Sequence, residues 1–129
     1  MPKAKLTRQF TGGSLARPSD SANGDLVWTP NTDVYIHTAG AVIKVEVAGI
    51  SREDLELKVE GRRLTIGGAR RDQCRNGDCS FQVMEIHYGP FESVVELPAG
   101  FDLSQARATY QNGFLRVDVP RSASLKETT

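Results

Sequence analysis

Residues 106–120 read Ala-Arg-Ala-Thr-Tyr-Gln-Asn-Gly-Phe-Leu-Arg-Val-Asp-Val-Pro. Two short runs, Ala106–Tyr110 and Phe114–Val119, flank Gln111-Asn112-Gly113, and Pro120 stops the second. Asn112-Gly113 makes the turn, since Asn and Gly tolerate the positive φ that a tight hairpin needs. Leu115 and Val117 share one face of a strand and point to a core. The stretch therefore predicts an antiparallel hairpin with one buried face.

The same period of two recurs upstream. Val34-Tyr35-Ile36 is a short apolar run, and Ile43, Val45 and Val47 alternate with polar neighbours. Ala48-Gly49-Ile50 breaks that strand, and Ser51-Arg52-Glu53-Asp54 reads as one helical turn with Ser51 as its cap. Leu55, Leu57 and Val59 alternate with Glu56, Lys58 and Glu60; Gly61-Arg62 turns the chain and Arg63–Ile66 returns. Gly67 to Ser80 reads as a polar loop centred on Asn76-Gly77, a hairpin-turn pair. Phe81–Ile86 and Phe91–Leu97 supply further strands. No helical period persists beyond a turn, and roughly eight short strands at 8–12-residue spacing predict an all-β antiparallel sandwich.

Residues 1–27 differ. Gly12-Gly13, Pro18 and a polar run surround isolated apolar residues, Leu6, Phe10 and Leu15. They read as a flexible arm with a few adhesive side chains, with room for a short amphipathic helix over Lys3–Phe10. The expected organisation is an arm over 1–27, a sandwich domain over 28–120 and a short tail over 121–129.

The 129 residues suit one domain, and 39% hydrophobic content is enough for one core. Lys+Arg and Asp+Glu are both 16. A nucleic-acid binder carries a basic excess or stripe, and none is visible. The pairs Arg62-Arg63 and Arg70-Arg71 read as solvated turn and edge charges. No stretch approaches the length of a membrane span, and no apolar segment follows Lys3, Lys5 and Arg8 as a secretory signal requires. Two cysteines without a signal point to the cytoplasm.

Three segments resemble the α-crystallin domain of small heat-shock proteins. Tyr110–Val117, with Ala106 or Ala108 upstream, resembles the family's Ala-x-x-x-Asn-Gly-Val-Leu signature. Val45–Ile50 with Glu53-Asp54-Leu55 resembles its Pro-Gly segment, and Gly89–Pro98 resembles its Gly-x-Phe-x-Arg…Leu-Pro segment. They occur in the family's order and span Trp28 to Pro120. The resemblance implies an immunoglobulin-like sandwich that acts as an ATP-independent chaperone, binding unfolding client proteins with no cofactor and no catalysis. It implies an apolar groove between Leu55-Leu57-Val59 and Ala106-Ala108-Tyr110, with the arm residues Leu6, Phe10 and Leu15 also contacting clients. It implies a homodimer in which the loop bearing Cys74, Asn76, Gly77, Cys79 and Phe81 reaches the partner's first strand near Trp28, Val34 and Ile36. Larger oligomers would use Leu125 as a tail anchor. Two departures stand out: Ser93 occupies the family's arginine position, and the tail offers one large anchor where the family has an Ile-x-Ile motif. A p23-like co-chaperone sandwich is the alternative, but it usually carries an acidic tail and lacks the Asn-Gly-x-Leu turn.

Catalytic and metal motifs give little. There is no phosphate loop and no nucleophile elbow. Gly67-Gly68 reads as a flexible joint. His87 with Glu85 is a common strand pairing rather than a catalytic one, and Cys74, Cys79, His37 and His87 match no usual zinc spacing. If Asn76-Gly77 forms a two-residue hairpin, Cys74 and Cys79 face each other at a non-hydrogen-bonded position about 4.5 Å apart. The reading adopted is two reduced thiols at an exposed tip; a reversible redox clip is the alternative.

Overall fold

The computed structural model describes residues 3–5, 27–72, 74 and 78–123. Eight strands appear among them: β1 Lys3–Lys5, β2 Thr32–His37, β3 Gly40–Glu46, β4 Leu55–Glu60, β5 Arg63–Arg70, β6 Gly89–Glu96, β7 Arg107–Gln111 and β8 Phe114–Pro120. They form two sheets, one in the order β1-β7-β8-β3-β2 and one in the order β4-β5-β6. All ladders are antiparallel. This is the expected all-β sandwich.

The hairpin that decides the fold forms as expected. Gln111 pairs with Phe114, and the turn between them has φ of 55° at Asn112 and 83° at Gly113. Two positive values in succession define the type I′ turn, whose twist matches that of its strands. Its register places Leu115 opposite Val45 and Val117 opposite Ile43. All four are buried in one core with Val47, Leu64, Ile66, Phe91, Val95 and Leu97. Each strand gives alternate residues to the interior, so two half-apolar sheets close into one apolar layer.

Several expectations need correction. Lys3–Lys5, where a short helix was the expectation, is a strand on the outer edge of β7, pairing Ala4 with Ala108. An edge strand offers unpaired N–H and C=O groups, and a short segment satisfies them. Ser51 holds the cap position of a 3-10 turn at Arg52–Asp54, yet its side chain makes no capping bond; its carbonyl accepts from the Asp54 N–H at 2.9 Å. Phe81–Ile86 forms no strand, since a strand needs a ladder and no neighbour supplies one among the described residues.

Gly67-Gly68 is not a joint. β5 runs through it to Arg70, and both glycines are buried. A Cβ on Gly68 would collide with the Asp54 carbonyl oxygen and lie 2.8 Å from Cζ of Phe91. Gly68→Ala is therefore expected to cost about 1–3 kcal/mol by overpacking, read from the urea midpoint. An unchanged midpoint would mean the Asp54 turn yields freely.

Candidate functional site

A sandwich face becomes a binding surface where a sheet edge or apolar side chains remain uncovered. β2 is such a place. It pairs only with β3 among the described residues, and Val34, Tyr35 and Ile36 are 43%, 45% and 51% exposed. The connector 71–88 is another. Phe81, Val83, Met84 and Ile86 all stand in solvent without regular structure. Of these, Val83, Met84 and Ile86 were not singled out in the sequence; their run of large apolar residues was the available signal.

The connector is clamped at both ends. The Arg70 guanidinium donates to the carbonyls of Ala48 and His87, each at 3.1 Å, and lies 4.6 Å from the Trp28 ring centroid. His87 stacks on Trp28 with centroids 5.5 Å apart. Arg71 grips both carboxylate oxygens of Asp54 at 3.1 and 3.2 Å. The arginine pair is thus engaged rather than merely solvated. That hydrogen bond from Arg71 holds the Asp54 carboxyl below its ordinary range. A depressed carboxyl stabilises the fold above its ordinary pKa and loses that contribution as pH falls through the lowered value. Arg71→Ala should let the Asp54 pKa climb back, as followed by NMR titration; an unmoved value would show that the pair does not hold in solution.

Between the connector and the Ala48-Gly49 turn lies an open cleft of about 750 Å³, lined in part by Cys74, Phe81, Ile86 and Tyr88. Cys74 and Cys79 are joined in a disulfide with Cα atoms 6.0 Å apart. The two cysteines are bonded in the structure, where the adopted reading expected two free thiols. The expected hairpin facing does not hold, because neither cysteine lies in a strand.

The other expected residues divide. Trp28 does not offer a free edge: it bridges its own β6, its N–H donating to Pro90 O at 3.2 Å and its indole to Gly89 O at 3.2 Å. Of the groove residues, Leu57, Ala106 and Ala108 are buried in the core, while Leu55, Val59 and Tyr110 are half-buried against it. The Tyr110 hydroxyl donates to Val47 O at 2.8 Å. Ser93, in the family's arginine position, is 5% exposed and meets the Thr32 hydroxyl at 3.0 Å. Thr32 donates its own proton to Pro30 O, so Ser93 is the donor, and the contact ties β6 to β2 across the two sheets. Leu6, Phe10, Leu15, Asn76, Gly77 and Leu125 lie outside the described residues.

His37 and His87 have separate local partners, Ala39 N–H and the Trp28 ring. Among the described residues no three His, Cys, Asp or Glu side chains group as a metal site, and no helix is long and apolar enough to cross a membrane.

Comparison with known proteins agrees with this architecture. A family model described as Hsp20/alpha crystallin family matches residues 33–129. Small heat shock protein C2 of Rickettsia felis is 27% identical over 103 residues, covering 80% of this chain and 66% of that protein. The chain thus spans just under two thirds of that relative. The crystal structure of hspA from Xanthomonas axonopodis superposes with a TM-score of 0.67 at 26% identity, covering 73% of this chain and 94% of that one. A small heat-shock protein from Xylella fastidiosa, described as having a distinct high order structure, gives 0.68 at 26% identity over 74% of this chain and 88% of its own. With the Asn112-Gly113 hairpin, the two-sheet order and the family match over residues 33–129 in agreement, the chain belongs to the Hsp20/alpha crystallin family, the small heat-shock proteins.

Proposed function

We propose that this chain is an ATP-independent chaperone that holds unfolding proteins by surface contact and so keeps them from aggregating. The observation that carries the proposal is the exposed apolar sheet edge at β2, with Val34, Tyr35 and Ile36 in solvent. An unfolding protein exposes apolar segments and unpaired strand edges, the two things such an edge can take up. Holding needs no nucleotide, because binding alone lowers the free concentration of the aggregating species.

The same edge supports self-association. In this reading the connector 71–88 of one copy, bearing Phe81, Val83, Met84 and Ile86, adds as a strand to β2 of a second copy near Val34 and Ile36. The exchange is reciprocal and gives a twofold dimer. The arm residues Leu6, Phe10 and Leu15 and the half-buried Leu55, Val59 and Tyr110 extend the client surface. Leu125 anchors larger assemblies, in which many weak contacts add through multivalency. The cytoplasm is the proposed setting.

The test is light scattering of a heat-aggregating model enzyme, with and without the chain and with no nucleotide present. The reading expects scattering to fall as the chain is added. Unchanged scattering would refute it.

A further inference from the structure

Cys74 and Cys79 lie in the first half of the connector 71–88, and both are exposed. Their bond closes a ring over four intervening residues and holds their Cα atoms 6.0 Å apart. Five extended residue steps would span about 17 Å, so the bond removes about 11 Å of usable chain. A connector that leaves a domain and returns spends its length twice. Its reach therefore falls by about 5 Å, close to the 4.7–4.9 Å between neighbouring strands. For contact by strand addition, one strand spacing decides whether a ladder forms.

The position of the ring matters as much as its size. Cys74 lines the same cleft as Phe81 and Ile86, and its N–H donates to Asp72 Oδ1 at 3.0 Å. The closed ring holds Cys79, two residues before Phe81, with its Cα 6.0 Å from that of Cys74. The contacts that hold the ends, made by Arg70, Arg71 and His87, do not involve the bond. A ring this short restrains few states of the unfolded chain, so it contributes little to global stability.

We propose that Cys74–Cys79 is a thiol–disulfide exchange site, its reaction partners dithiol reductants, whose state sets how far the connector reaches. This rests on the dimer reading above. In the exchange a reductant thiolate attacks one sulfur of the pair, and the other leaves as a thiolate that takes up a proton. The reductant's second thiolate then displaces the first cysteine, which leaves in the same way. Two electrons pass to the chain, two thiols form on it, and the reductant becomes a disulfide. Reduced, the connector reaches the partner's β2 and the dimer is tight. Oxidised, it falls short, and both β2 and the apolar connector stay open to clients. An oxidising cytoplasm would thus shift the population from paired copies to copies with exposed capture surfaces.

The experiment compares three forms of the full chain by sedimentation velocity over a concentration series. They are the oxidised chain, its loss of two hydrogens verified by intact mass; the chain reduced with dithiothreitol; and Cys74→Ser/Cys79→Ser. The dimer Kd of the oxidised form should be weaker than the reduced by roughly tenfold, the order expected from losing one or two ladder hydrogen bonds. The double variant should match the reduced form and ignore dithiothreitol. Equal Kd in the oxidised and reduced chains, a dithiothreitol response that survives in the double variant, or failure of the bond to form on mild oxidation would each overturn the proposal. The deletion of residues 73–80 separates the two levels. If that deletion abolishes the dimer while oxidation leaves Kd unchanged, the exchange site alone fails. If the deleted chain still dimerises, the strand-addition reading fails.

Discussion

A chain lacking Gln73–Ser80 is expected to sediment as a monomer at concentrations where the full chain is a dimer. Without those residues the remaining connector cannot carry Phe81–Ile86 away from the domain and back. On the proposed strand addition, the partner's β2 then loses about four to six ladder hydrogen bonds, each worth about 0.5–1.5 kcal/mol net, together on the order of a thousandfold in Kd. The sandwich itself should be unaffected, because none of the described residues of the deleted segment belongs to the core. Its thermal midpoint serves as the internal control. A deleted chain that dimerises as before would place the interface elsewhere.

Phe91→Ala carries the largest expected cost within one chain. Phe91 is 1% exposed and among the largest fully buried side chains. It lies against Gly68 and 5.3 Å from the Trp28 ring, centroid to centroid. Emptying that space should cost about 3–5 kcal/mol. Against a total of about 5–15 kcal/mol for a domain, the variant would be marginal at room temperature. Trp28 is the single tryptophan of the chain and touches the site, so its fluorescence in urea reads the loss directly. A cost below about 1 kcal/mol would mean that Trp28 swings in and refills the space.

The two cases also separate what was legible in the sequence from what was not. The core was legible because its signal is local. Ile43, Val45 and Val47 alternate within one strand, as do Leu115 and Val117, and period two fixes the buried face whatever the strand pairs with. Asn112-Gly113 was legible because the backbone angles of its turn can be read from residue type alone. Gly67-Gly68 was misread because the reason is tertiary: at Gly68 the Asp54 carbonyl and the Phe91 ring approach so closely that no side chain fits. Phe81–Ile86 had strand composition, but a strand exists only with a ladder, and composition cannot say that none of the described residues pairs with it. Ser93 looked like a missing charge. Its role, a hydroxyl contact between sheets, depends on Thr32, far away in sequence.

The expected surface was legible only in part, for a related reason. Alternation pointed to Leu57, Ala106 and Ala108, but alternation marks the face that meets apolar surroundings, and for these residues the surroundings are the chain's own core. The exposed apolar residues that remain, on β2 and the connector, stand out only once the covered ones have been subtracted.

The central claim is that this chain protects by holding, not by turnover. Its most direct test is a titration of the chain against a fixed amount of heat-aggregating client, followed by light scattering with and without ATP. The account predicts that suppression grows in proportion to added chain, saturates at a fixed molar ratio of chain to client, and is identical with and without nucleotide. Full suppression far below any stoichiometric ratio, dependence on ATP, or scattering indifferent to the chain at every ratio would contradict it.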